Sequence, residues 1–159
     1  MICRGGLLFA RNNKYIYIRI ERREQPEIVD YKFYCYGGKP RYFMYSLGEA
    51  EHHVRNHKFD MKGNSIDYLF KKTAAIQQNK IVLPDNLSEM EKIVEVLGKS
   101  FQFVRVDLYN VHGKIYFGEL TLWSAGGIIN IDNSQYSQEL ADKIDLSKVY
   151  NGGIKIWLQ

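Results

Sequence analysis

Two runs of alternating residues joined by a short glycine-bearing turn constrain this chain more than any other feature. Within residues 103–121, Val104, Val106 and Leu108 alternate with Arg105, Asp107 and Tyr109. After the turn, Ile115, Phe117, Glu119 and Thr121 alternate with Tyr116, Gly118 and Leu120. A period of two puts successive side chains on opposite faces of a sheet, so each run reads as a strand with a polar set on one face. Asn110-Val-His-Gly113 between them reads as the turn of an antiparallel hairpin.

The length of that turn decides which polar residues meet, because a one-residue slip sends a whole set to the other face. A three-residue loop with Gly113 in the left-handed conformation, the reading the glycine favours, pairs Asn110 with Lys114. Asp107 then lies opposite Phe117 and Arg105 opposite Glu119. In that register Asp107 and Glu119 are diagonal neighbours with β-carbons about 7 Å apart, and their carboxylates can hold a cation between them. A two-residue His112-Gly113 loop would separate them. The plainer reading is a cross-strand ion pair of Arg105 and Glu119 on a solvated face. Against it stand Phe101, Phe103, Tyr109, Tyr116, Phe117 and Trp123, which point to a mostly buried sheet, where a carboxylate needs a partner or a metal.

The remaining elements suit an α+β fold, mostly antiparallel sheet with packed helices, in one domain spanning residues 1–159. Tyr15 to Ile20 and Val29 to Tyr36 read as strands, the second separating Tyr31, Phe33 and Cys35 from Asp30, Lys32, Tyr34 and Tyr36. Gly37-Gly38 forms a tight turn, and Arg41 to Ser46 returns as a strand with Pro40 at its start. Residues 48–80 lose periodicity and read as an irregular excursion. Ser88-Glu-Met-Glu91 reads as a capping box, followed by Met90, Ile93, Val94 and Leu97 on one face of a helix reaching about Lys99. A glycine-bearing loop covers Trp123 to Gly127, and a short helix is expected around Gln135 to Ile144.

Bulk properties exclude several classes. Cys3 and Cys35 give neither a disulfide framework nor finger spacing, and Cys35 reads as a small buried hydrophobe. A net charge of +4 suits an anionic ligand but is too small to argue for nucleic acid. No apolar run approaches the roughly 18 residues of a membrane span, and Gly5 to Ala10 is too short for a signal-peptide core, so a cytoplasmic location is expected. His53 and His57, four apart, would offer a zinc pair only if their polar segment were helical, and a solvated face is the simpler reading. The tyrosines of the central strands read first as sheet packing.

Asp30-Tyr-Lys-Phe-Tyr-Cys-Tyr-Gly-Gly-Lys-Pro40, Val104 to Tyr109 and Gly113 to Thr121, in this order, resemble the TupA-like branch of the ATP-grasp superfamily, from about Tyr15 to Ile144. That branch is named for teichuronopeptide biosynthesis and occurs in bacterial surface-polysaccharide loci. The resemblance implies an ATP-grasp fold and an ATP- and magnesium-dependent carboxylate–amine ligase working through an acylphosphate. It implies that Asp107 and Glu119 ligate magnesium, with Thr121 in the place often filled by a third, asparagine ligand. Arg105 would contact phosphate, Lys32 would face the phosphates or the acyl substrate, and Glu21 matches the acidic hinge that holds the nucleoside.

The family's amino-terminal half, with its lysines and glycine-rich loop, has no counterpart before the first matched strand. The chain is therefore expected to be the carboxy-terminal, metal-holding half, with a partner chain as one source of the rest. Nucleotide and a carboxylate are its expected substrates, and a glycan or amino acid its acceptor. The alternative is a non-catalytic glycan- or protein-binding module that keeps the half-fold.

Overall fold

The computed structural model describes residues 6–11, 14–19, 29–47, 55–70, 81–124 and 129–151. Two strands, β1 (Gly6–Arg11) and β2 (Lys14–Arg19), pair as an antiparallel ribbon. The body is a five-stranded antiparallel sheet in the order β5-β4-β3-β6-β7. Its strands are β3 (Asp30–Tyr36), β4 (Lys39–Leu47), β5 (Arg55–Asp60), β6 (Phe103–Val111) and β7 (Lys114–Thr121). Among the described residues three α-helices accompany it: α1 (Leu87–Gly98), α2 (Ser134–Ala141) and α3 (Leu146–Asn151). This is the α+β architecture expected from the sequence.

Every residue of β3 is buried, the consequence of a central strand covered on both faces. On one face Phe33, Cys35, Phe43, Phe59, Val104, Val106 and Leu108 pack with Met90 and Val94 of α1. Each such side chain contributes about 1.5–3 kcal/mol by leaving water. On the other face Tyr34, Tyr36 and Tyr42 pack with Ile66, Leu69, Phe70 and Leu140. Tyr34 and Tyr42 sit directly across the β3–β4 pair and stack at 4.5 Å and 10°, so these tyrosines are packing. The second aromatic layer covers only part of its face. The rest is polar.

Four expectations change. The excursion over 48–80 contains an ordered edge strand, β5, which its polar alternation Asn56, Lys58, Asp60 concealed. A 3-10 turn, Asp67–Leu69, follows it; residues 48–54 and 71–80 lie outside the described residues. Helix α1 is not opened by a capping box, since its N-cap is Asn86 and Ser88 already stands inside the first turn. Asn86 does not cap with its side chain; its Nδ2 donates to the Gly113 carbonyl at 2.8 Å, and its Oδ1 accepts from Asn110 Nδ2 at 2.5 Å. The start of α1 thereby braces the β6–β7 turn. Trp123, expected in the buried set, is 78 % exposed.

The turn itself is the fourth change. Val111 pairs with Lys114, leaving the two-residue loop His112-Gly113. Both residues have positive φ, 52° and 75°, the primed hairpin geometry whose twist matches the strands. The three-residue loop, and with it the pairing of Arg105 with Glu119, is not formed.

Candidate functional site

The two-residue turn should have parted Asp107 from Glu119, and a bulge reverses that. Leu108 pairs with Phe117 while Val106 pairs with Leu120, so Gly118 and Glu119 together face the single residue Asp107. The extra residue shifts the phase of β7 by one. Beyond it Thr121 is opposite Arg105, and Arg105, Asp107, Glu119 and Thr121 share one face. A glycine occupies the bulge for want of space: a β-carbon on Gly118 would stand 2.9 Å from the Asp107 carbonyl oxygen and 3.2 Å from the Tyr109 ring.

Sheet order brings in the remaining groups. Lys32 of β3 is directly across from Asp107, and Tyr34 across from Arg105. Lys32 Nζ donates to Asp107 Oδ2 at 3.2 Å and to Asp30, two residues along its own strand. Arg105 holds Asp107 with two parallel bonds, Nε to Oδ1 and Nη2 to Oδ2, each 2.7 Å. The same Nη2 donates to Glu119 Oε1 at 2.6 Å, and Thr121 Oγ1 donates to that oxygen at 2.8 Å. Arg105 Nη1 reaches the buried Ser124 hydroxyl at 3.3 Å. Three carboxylates, Asp30, Asp107 and Glu119, thus share two cations.

Burial grades these groups. Asp107 is 2 % and Lys32 7 % exposed, whereas the Glu119 side chain is 60 % exposed. Burial pushes the Asp107 carboxyl above its ordinary range, against the opposing bonds from Arg105 and Lys32. The Thr121 hydroxyl, and then Arg105, hold Glu119 below its ordinary value despite some burial. For Arg105 burial disfavours the charged form, but the bonds and charge of Asp107 outweigh it and leave the guanidinium more basic than usual.

The donor set fits a magnesium ion. One nitrogen, Arg105 Nη2, lies within 2.7 Å of Asp107 and 2.6 Å of Glu119, so the two carboxylates converge on a point now held by a cation. Among the described residues no three His, Cys, Asp or Glu side chains gather as a cage. Magnesium characteristically uses one or two carboxylates and completes its shell with water and substrate phosphate.

Of the residues singled out from the sequence, the fold gathers Lys32, Arg105, Asp107, Glu119 and Thr121; Glu21 lies outside the described residues. Asp30 and Ser124 were missed. Asp30 had a signal, its i, i+2 spacing from Lys32; Ser124 had none, being placed by the chain after β7. Of the suggested zinc pair, His57 is on strand β5 rather than a helix and is buried rather than solvated, with its Nδ1 2.8 Å from Asp67 Oδ2. His53 lies outside the described residues.

Among the described residues no helix is long and apolar enough to cross a membrane. No curated protein and no solved structure matches the chain. The family model described as TupA-like ATPgrasp matches residues 15–145, a span that includes all of β2 but its first residue, the whole five-stranded sheet and every residue of the polar cluster. That match covers most of the chain, and the chain belongs to the TupA-like ATP-grasp family.

Proposed function

We propose that this chain forms the magnesium- and phosphate-holding floor of an ATP-dependent carboxylate–amine ligase that serves the synthesis of a bacterial surface polysaccharide or peptide polymer. The observation that carries the reading is the single guanidinium nitrogen shared by Asp107 and Glu119 beside a second buried cation, Lys32. When bound, ATP and its magnesium would supply the phosphoryl group that activates a carboxylate towards an amine. Asp107 and Glu119 would ligate the metal, with Thr121 fixing the Glu119 oxygen. Arg105 and Lys32, released from the two metal-ligating carboxylates, would turn their charge to phosphate oxygens. Such chemistry rests on positioning and charge compensation and asks for no protein nucleophile. The buried Cys35 thiol, raised to about 12, agrees with that. Glu21 would hold the nucleoside, a role carried from the family alone.

A thermal melt with and without magnesium and ATP tests the reading, because a ligand bound only by the folded state must raise Tm. The expected result is a rise that Asp107→Asn and Glu119→Gln each abolish. No rise at millimolar ligand sinks it. The second reading, a non-catalytic glycan- or protein-binding module, draws on Trp123 and Leu122, 78 % and 51 % exposed beside Ser124. It predicts a melt that responds to oligosaccharide or a partner protein and not to nucleotide.

A further inference from the structure

Lys32 is held between two carboxylates with different surroundings. Asp107, across on β6, is one of the two acids that Arg105 bridges. Asp30 lies two residues back on β3, opposite Tyr109, and is 5 % exposed. Along β3 it stands on the far side of Lys32 from Tyr34, the residue opposite Arg105, so Lys32 can keep its bond to Asp30 when a cation takes the place of Arg105 between Asp107 and Glu119.

That arrangement matters because a metal between Asp107 and Glu119 must first displace the ammonium and the guanidinium that hold them. A buried ammonium stripped of its carboxylate is strongly disfavoured. Without a second acid, Lys32 would cling to Asp107 and compete with the metal. With Asp30 present, Lys32 remains paired and in place when Asp107 lets it go.

We propose that Asp30 is a positioning residue, which retains Lys32 on the floor of the site while Asp107 exchanges that ammonium for a metal ion. The inference rests on the nucleotide-site reading above. Asp30 need touch neither metal nor phosphate; it acts through Lys32.

The test is a double-mutant cycle on the full chain, reading the Mn2+ midpoint for binding of a fluorescent ATP analogue held at saturation for each variant. Asp30→Asn is expected to raise that midpoint about tenfold. In a Lys32→Met background, where no ammonium competes, the same substitution is expected to change it less than about twofold. An equal rise in both backgrounds overturns the proposal, because it makes Asp30 a direct electrostatic or merely structural contributor. Should Asp30→Asn fail to fold, Lys32→Met alone decides: it must lower the Mn2+ midpoint, and an unchanged or higher one overturns the exchange. Wild-type protein that binds no analogue at any Mn2+ concentration overturns the nucleotide-site reading itself, whereas analogue binding with a flat cycle overturns only the role of Asp30.

Discussion

Asp107 and Glu119 carry the same charge and share one guanidinium nitrogen, yet their burial gives them different weights. Asp107 is 3 % exposed at its side chain with two cations on it, so removing its charge leaves Lys32 and Arg105 buried with too little compensation. Asp107→Asn is expected to cost about 3–5 kcal/mol in urea unfolding. Glu119, 60 % exposed, lies in water and is screened, and Glu119→Gln is expected to cost less than about 1 kcal/mol. Its acid is depressed from an ordinary 4.5, so its stabilisation is present above that value and is lost as pH falls through the folded one. The Tm difference between wild type and Glu119→Gln should therefore close as pH drops below 4.5. Cys35, fully buried with its thiol raised to about 12, should resist alkylation at pH 8 in a Cys3→Ser variant until denaturant is added.

At the level of elements, the hairpin β6–β7 works because two irregularities cancel. The two-residue turn sets one phase, and the Gly118–Glu119 bulge reverses it before the polar end of the strand. Gly118→Ala places a methyl group 2.9 Å from the Asp107 carbonyl oxygen, and the two backbones must part. The expected cost is about 1–3 kcal/mol, with loss of the nucleotide-dependent Tm rise. A turn residue tests the other end. His112 holds φ at 52°, a conformation that asparagine adopts with less strain, so His112→Asn is expected to stabilise the fold by about 1 kcal/mol without altering ligand response. Helix α1 was legible from Met90, Ile93, Val94 and Leu97, but its cap was not. Asn86 has Glu89 three residues on, as a capping box would, but its side chain serves the hairpin instead of the helix.

Across the whole molecule, β3 is the strand on which both layers depend. It is paired on each side and buried on each face, with Phe33 in one core and Tyr34 in the other. Amide hydrogen exchange should be slowest in β3, β4 and β6 and faster along the edge strands β5 and β7. Phe33→Ala is expected to cost about 3–5 kcal/mol, more than any substitution on the exposed face of α1. The three motifs that mark the family lie along β3, β6 and β7, and the sheet makes these adjacent although 66 residues separate the end of β3 from the start of β6.

The sequence by itself determined strands β2, β3, β4, β6 and β7, the helix α1, the polar sets of β3 and β6 and the family, because periodicity and motif are local properties of the chain. Alternation showed Asp30 with Lys32 and Arg105 with Asp107 on their own strands. Only the tertiary structure decided which sets meet. The β3–β6 pairing put Lys32 against Asp107, and the bulge at Gly118 put Glu119 beside Arg105 after the turn had parted them. Neither is readable from the strands alone. Register is fixed by what the two faces bury and by the space left between neighbouring backbones, and those exist only once all five strands are in place.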